Sequence, residues 1–320
     1  MRWIATARQL RAAGVLGING RNVGYTLRHN PRHLYPRVDD KLLTKRLCEE
    51  VGVAVPRTLA VARHQFEIRR LPAALAEHSS FVLKPVHGAM GSGILVVLGR
   101  DGERLVLPGG RRISMEDLLY HASSILSGLY ALAGQPDAAM VEERLEVHPT
   151  LRRIAVEGVP DVRVIVYRGV PVMAMTRLPT LRSGGRANLH QGALGAGIDL
   201  VTGELVRAVD RGRLVAVHPD SGEVVVGHRI PEFGRVVAMA VRAVERTGLG
   251  YVGADLVLDA QRGPVVLELN ARPGLAIQLA NGTGLKPRLE RIDAEIRAGM
   301  PIEERLELGR RIAAELRRPR

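Results

Sequence analysis

Two short connections in the second half of the chain decide its sheet geometry. Val162-Arg-Val-Ile-Val-Tyr167 and Val170-Pro-Val-Met-Ala-Met175 are separated only by Arg168-Gly169. Tyr251-Val-Gly-Ala-Asp-Leu-Val-Leu258 and the run at 264–270 are separated by Asp259-Ala-Gln-Arg-Gly263. Parallel neighbours need a crossover of about a dozen residues or more, so both pairs read as antiparallel hairpins. Helical patterns fall at 39–51, 114–128, 231–246, 288–297 and 302–318. The combination predicts an α+β fold with antiparallel sheets.

Elsewhere the pattern predicts a first helix over 3–13 and a loop-like stretch carrying Gly14, Gly17, Gly20 and Gly24. Asp39 or Asp40 caps the 39–51 helix and Gly52 stops it. Val53 to Val61 reads as an extended connection, and Pro72 to His78 as a short helix. Phe81 to Pro85 is a strand with Gly93 to Leu98 as its hairpin partner. Further strands are expected at Arg104 to Pro108 and Ala139 to Leu145.

The chain has 320 residues, enough for two or three lobes. Three Phe, six Tyr and one Trp leave the core to Val, Leu, Ile and Ala. A single cysteine, Cys48, excludes an intramolecular disulfide and reads as a structural thiol. Arg8 and Arg11 interrupt the apolar start, which argues against a secretory signal. No run reaches the roughly eighteen apolar residues of a spanning helix. The expectation is a soluble, cytoplasmic protein.

Net charge is +13, and residues 1–46 hold eight Arg and two Lys against Asp39 and Asp40. The basic residues are not interleaved with aromatics, and no zinc, RNA-binding or helix-turn-helix signature is present. No specific nucleic acid is therefore expected. The basic N-terminal segment leaves a peripheral membrane or protein contact open, and a homo-oligomer as well.

Chemistry-bearing residues cluster in a few places. Glu268 and Asn270 alternate on one strand and so share a face, and Asp255 lies on the preceding strand. Three oxygen-bearing side chains on neighbouring strands suit a hard cation such as Mg²⁺, or equally the polar ends of edge strands. Gly88, Gly91 and Gly93 punctuate Lys84-Pro-Val-His-Gly-Ala-Met-Gly-Ser-Gly93 between two strands. Such glycines let backbone amides curl around phosphate, with Ser92 adding a hydroxyl and Lys84 a charge. This is neither a Walker loop nor a Rossmann fingerprint. Lys41 opens a helix, where its charge gains nothing from the dipole unless an anion intervenes. Glu142 and Glu143 end a strand, with backbone from Glu143 through Arg144 to Leu145 able to read a base edge. His87 reads either as a phosphate contact or as a solvated loop residue, and His190 is equally open.

Taken in order, these residues resemble the ATP-grasp superfamily, and more closely its RimK-like branch, where the chain is most similar to the alpha-L-glutamate ligase-like proteins. Asp40-Lys41, Phe81 to Gly93, Val141-Glu142-Glu143, Asp161-Val-Arg163, Asn188-Leu-His-Gln-Gly192, Val252-Gly-Ala-Asp255 and Leu267-Glu-Leu-Asn270 carry the resemblance, over roughly 38–285.

The resemblance implies an ATP-grasp fold, with two α+β lobes clasping a nucleotide. Along the chain it gives a helical N-terminal segment (1–38) in place of a full preceding domain, and the start of the core (39–80). A small nucleotide-binding lobe (81–145), a large metal-bearing lobe (146–300) and a C-terminal helix with a basic tail (301–320) follow. It implies ATP with Mg²⁺, Mn²⁺ being an alternative. Lys41 and Lys84 would hold phosphates and Glu142, Glu143, Arg144 and Leu145 the adenosine side. Asp255, Glu268 and Asn270 would hold the metal. Arg163 and Asn188 would face the transferred phosphoryl group, and Arg177 and Arg272 an acceptor carboxylate. The implied activity is carboxylate–amine ligation through an acylphosphate, with amino-acid or peptide substrates, glutamate among them. A kinase-like phosphotransferase and a nucleotide-binding regulatory protein are the alternatives. The segment 199–229 reads as an insertion on the acceptor side.

Overall fold

The computed structural model describes residues 6–88, 91–131 and 134–317. The chain separates into two compact units: Asp40–Leu42 with Val55–Glu146, and Met1–Asp39 with Leu43–Ala54 and Val147–Arg320.

The smaller unit is built on a four-stranded sheet in the order β1-β7-β2-β3. Its strands are β1 (Thr58–Ala62), β2 (Phe81–Pro85), β3 (Leu95–Val97) and, after a separate three-stranded sheet of β4 (Gly99–Asp101), β5 (Arg104–Val106) and β6 (Arg112–Ile113), β7 (Ala139–Glu143). The helix Met115–Leu126 packs on β2 and β7. It starts where Ser114 Oγ accepts from Asp117 N at 3.1 Å and Asp117 returns a carboxylate to Ser114 N at 2.8 Å. Leu118, Ala122 and Ile125 recur at helical spacing and meet Phe81, Leu83 and Val141 of the sheet, all fully buried. The extended connection expected before Val61 ends in a true strand: β1 pairs antiparallel with β7.

The larger unit carries a seven-stranded sheet, β12-β11-β10-β9-β8-β13-β14. The strands are β8 (Asp161–Tyr167), β9 (Val170–Leu178), β10 (Leu194–Ile198), β11 (Leu205–Asp210), β12 (Arg213–Val215), β13 (Tyr251–Asp259) and β14 (Gly263–Asn270). Every pairing among the described strands of both units is antiparallel. At the β8–β9 turn Arg168 and Gly169 both have positive φ, +50° and +76°, the handedness that matches strand twist. The segment 199–229 contributes β11 and β12 to one edge of this sheet.

The helix Phe233–Thr247 packs against β8, β13 and β14 through buried Val236, Val237, Ala240, Val241 and Val244. Ile165, Tyr167, Met173, Met175 and Tyr251 join a second cluster with Ile277, Leu289, Ile292, Leu308 and Ile312 from the C-terminal helices Ile277–Asn281, Lys286–Glu295 and Ile302–Glu315, and with Leu285 just before the second of them. The helix predicted to 302–318 ends at Glu315, and Arg318 lies outside the described residues.

Two N-terminal expectations change. The first helix spans Ala7–Ala12, and positions 3–5 of the expected one lie outside the described residues. The glycine-dotted stretch is irregular only as far as Gly17 and is helical from Ile18 on. It forms the helix Ile18–Arg21, a π-helical turn Asn22–Thr26 and the turn Leu27–His29. Glycines disfavour a lone helix by about 1 kcal/mol each. Tertiary contact overrides this, because Tyr25 is buried with its ring 5.4 Å from Tyr167 and 6.1 Å from Tyr251. The helix expected at 39–51 is present: it spans Lys41–Glu49 and follows a separate short helix, Pro36–Asp39. Asp40 Oδ1 caps the longer helix by accepting from Leu42 N at 2.8 Å. Cys48 within it is completely buried, as expected of a structural thiol. No described helix is long and apolar enough to cross a membrane.

Candidate nucleotide and metal sites

In the larger unit, one face of four adjacent strands carries an unbroken polar cluster. The register places Arg163 opposite Asp255 and Asp255 opposite Glu268. Asp161 lies opposite Arg177, and Asn270 follows Glu268 by two on the same face. A bulge assists: Asp255 pairs with Glu268 but Leu256 with Val266, so Leu267 is the extra residue.

The contacts are specific. Arg163 donates to both Asp255 oxygens, Nε at 2.6 Å and NH2 at 2.5 Å. Arg177 donates NH2 to Asp255 at 2.7 Å and grips Asp161 with both ends of its fork, Nε at 2.7 Å. Asn270 Nδ2 donates to Asp255 and to Glu268, each at 3.3 Å. Asp255 is almost wholly buried, while Glu268 and Asn270 are half-buried.

Two carboxylates therefore share Arg177. Burial alone would raise Asp255, but Arg163 and Arg177 hold its carboxyl well below the usual range. Asp161 is gripped by the shared guanidinium, feels Arg163 more weakly, and faces the charge of Asp255. Burial lifts it to about 6, with Arg177 opposing. Arg177 itself is pulled down by burial but raised overall by Asp161 and Asp255.

Asp255, Glu268 and Asn270 form an all-oxygen set of the kind Mg²⁺ prefers. Among the described residues no three His, Cys, Asp or Glu side chains make a metal site by themselves. The set fits Mg²⁺ unevenly. Glu268 and Asn270 are half-buried and carry oxygen donors, whereas both Asp255 oxygens are already taken by guanidinium groups. Arg177, expected at an acceptor carboxylate, has its fork filled by the protein's own acids. Arg272 is exposed, its guanidinium 5.4 Å from the ring of Tyr35. Asn188 caps a short 3₁₀ turn, accepting from His190 N at 3.0 Å, and His190 is exposed.

The smaller unit brings together the residues expected at phosphates and base. Lys41 Nζ donates to Val86 O at 3.1 Å and to Gly88 O at 2.6 Å, so it is fastened to the glycine-rich loop. Lys84 is buried and ion-paired with Glu142 across β2 and β7. Glu143 takes Arg57, accepting from its backbone N at 2.7 Å and its Nε at 2.8 Å. Arg144 follows with a buried Nε that has no hydrogen-bond partner among the described residues, and Leu145 is buried. Within the loop, Ser92 is exposed and Gly91 and Gly93 have positive φ, while Ala89 and Met90 lie outside the described residues. Gly93 has a packing reason as well, since a Cβ there would stand 2.6 Å from the Tyr130 ring.

Sequence reasoning missed three pairs: Asp161–Arg177, Lys84–Glu142 and His87–Asp137. Asp161 stands two before Arg163 on one strand, so period-2 alternation was the available signal for it. Nothing local marks Asp137 as a partner for a loop fifty positions away.

The antiparallel sheets and this ordered set of lysines, loop and acidic strands define an ATP-grasp fold. The chain belongs to the family described as sugar-transfer associated ATP-grasp, which matches residues 20–294. It is similar to a probable alpha-L-glutamate ligase of Syntrophotalea carbinolica, 26% identical over 247 residues, 77% of this chain and 60% of the relative. A second probable alpha-L-glutamate ligase, from Halorhodospira halophila, is 27% identical over the same lengths. The match thus spans 60% of the length of these curated relatives. Among solved structures, the biotin carboxylase domain of Hydrogenobacter thermophilus 2-oxoglutarate carboxylase, in complex with MgADP, ADP and bicarbonate, is alike in fold. The TM-score is 0.52 at 14% identity, over 93% of this chain and 52% of that one.

Proposed function

We propose that the chain is an ATP- and Mg²⁺-dependent carboxylate–amine ligase working through an acylphosphate. The observation that carries this reading is the Arg163–Asp255–Glu268–Asn270 cluster, an oxygen-donor set beside a guanidinium on adjacent strands of an ATP-grasp chain.

In this reading Lys41 and Lys84 take nucleotide phosphates as point charges. Glu142, Glu143, Arg144 and Leu145 serve the adenosine side. Glu268 and Asn270, with Asp255 behind them, would hold Mg²⁺, which would supply charge neutralisation for the phosphoryl transfer. Arg163 fixes Asp255 and so the metal side, and Asn188 faces the transferred phosphoryl. The substrate carboxylate oxygen attacks the γ-phosphorus and ADP leaves. An amine then attacks the acyl carbon, phosphate leaves with the bonding pair, and the amine's proton passes to solvent. No protein nucleophile is needed. Arg272, exposed over Tyr35, is the residue available for an anionic group on the acceptor.

The relatives' names favour an amino acid such as glutamate as one substrate, joined to a peptide or small-molecule acceptor. The family's description makes amino sugars part of any amine panel. The test is to supply Mg-ATP with carboxylates and amines in pairs, and to measure ADP, phosphate and amide product. Amide formation with stoichiometric ADP and phosphate supports ligation. ADP with a phosphorylated product and no amide means phosphotransfer instead. A well-folded chain that binds no nucleotide under these conditions overturns the reading.

A further inference from the structure

An exposed apolar stripe lies inside an acid-free stretch of the chain. The first Asp or Glu in the sequence is Asp39, and seven arginines precede it. From Ile18 to His29 this stretch is helical, and its inner side is fastened to the larger unit. Tyr25 packs on Tyr167 and Tyr251, and Arg21 donates Nη1 to Pro273 O at 2.9 Å. The outer side is thereby held in solvent. Along it Ile18, Val23 and Leu27 are 64%, 66% and 59% exposed. Val23 and Leu27 stand four apart and share a side of the helix. Gly20 and Gly24 between them bring no side chain to shield the stripe. Three large aliphatic side chains over roughly 13 Å of helix are more than the single exposed hydrophobics of an ordinary surface.

The arginines around the stripe are exposed as well. Arg28 and Arg32 lie at one end, and Arg8 and Arg11 on the helix Ala7–Ala12. That helix buries none of its residues and exposes Leu10. The acids that act on Tyr25 from the neighbouring helix, Glu290 and Asp293, each face a cation of their own, Lys286 at 3.5 Å and Arg168 at 3.1 Å. The segment therefore offers aliphatic side chains and excess positive charge together.

We infer that this segment is a docking surface for an anionic lipid bilayer. Ile18, Val23 and Leu27 enter the headgroup layer, and the arginines keep their stems among lipid and their guanidinium groups at the phosphates. Charge and shape together select this occupant. The excess charge is positive, so the partner is negative. A fluid interface takes each aliphatic side chain separately, whereas a folded partner would have to supply a fitted surface for all of them. No described helix is long and apolar enough to cross a membrane, so the contact is interfacial. The inference is independent of the ligase reading.

The experiment is sedimentation of the full chain with sucrose-loaded vesicles, of phosphatidylcholine alone or mixed equally with phosphatidylglycerol. Wild type is compared with Val23→Gln/Leu27→Gln, which keeps the charge, and with Arg28→Gln/Arg32→Gln, which keeps the stripe. Leu27→Gln alone is carried alongside as the milder change. All four positions are exposed, so unfolding in urea should be close to that of wild type. We expect wild type to partition onto the mixed vesicles at least about tenfold more strongly than onto phosphatidylcholine, and each double variant to lose about tenfold on the mixed vesicles. Attraction by net charge alone would not tell Val23→Gln/Leu27→Gln from wild type, so equal partition of those two overturns the inference. Binding to both lipids alike, or no binding to the mixed vesicles, overturns it as well. Sedimentation equilibrium without lipid reads the other occupant. A dimer that Val23→Gln/Leu27→Gln dissolves, with no vesicle binding by wild type, assigns the stripe to a second copy of the chain instead.

Discussion

Asp255 and Arg163 are direct cross-strand partners on β13 and β8, and their side chains close two hydrogen bonds of 2.6 and 2.5 Å in a nearly dry environment. An ion pair placed there is costly to break and less costly to remove whole, because removing one partner leaves an uncompensated buried charge. Arg163→Met should destabilise the protein by about 3 kcal/mol or more in urea unfolding. Adding Asp255→Asn should recover part of that loss, giving a coupling of at least about 1 kcal/mol in the double-mutant cycle. Additive losses would mean that the two side chains act independently.

Asp161 gives the larger unit a pH dependence of opposite sign to that of Asp255. Its folded-state carboxyl is raised from 3.8 to about 6, so the folded state holds the proton more tightly than the unfolded chain. The stability linked to it is complete below about 3.8 and is lost as pH rises to about 6. Asp255, whose carboxyl is depressed, contributes above its ordinary value and loses that contribution in acid. Relative to Asp161→Asn, wild type should therefore lose about 2 kcal/mol between pH 4 and pH 6. Chemical denaturation of both proteins across this window measures it, and a constant difference would remove Asp161 as the cause.

Asn30 ties the N-terminal segment to β13 and to the residue that follows β14. Its amide donates to Tyr251 O at 2.7 Å and Ala271 O at 2.9 Å, and its carbonyl accepts from Tyr251 N at 2.9 Å. The side chain is buried, so Asn30→Ala strands three backbone groups at once and should cost about 3 kcal/mol. Thermal unfolding checks it. A shift of less than a degree or two would show that water replaces the amide.

Glu268 is half-buried and accepts from Asn270 Nδ2. Glu268→Ala should leave unfolding within about 0.5 kcal/mol of wild type. The Mg²⁺ concentration needed for half-maximal turnover should rise by about tenfold or more. Activity with an unchanged Mg²⁺ requirement would exclude this carboxylate as a ligand.

The parts of this fold that could be read from the sequence are those written in local spacing. Two-residue and five-residue connections announced the β8–β9 and β13–β14 hairpins, and alternation put Glu268 and Asn270 on one face. The helical part of the glycine-rich stretch, from Ile18 to Tyr25, could not be read correctly. Its composition argues for a loop, and only the packing of Tyr25 on Tyr167 and Tyr251, far away in sequence, makes it helical. Arg177 could be picked out as a functional arginine but not as one already engaged, because Asp255 reaches it from 78 residues away. Asp137 carries no local sign of its partnership with His87.

Cys48 has a practical consequence. It is completely buried in the helix Lys41–Glu49, and burial pushes its thiol up to about 12. Alkylating reagents attack the thiolate, so the folded chain should be inert to them at neutral pH. With no other cysteine in the sequence, each modified molecule records one excursion in which that helix opened. The chain therefore contains its own single-site clock for opening, readable by intact mass without any engineered label.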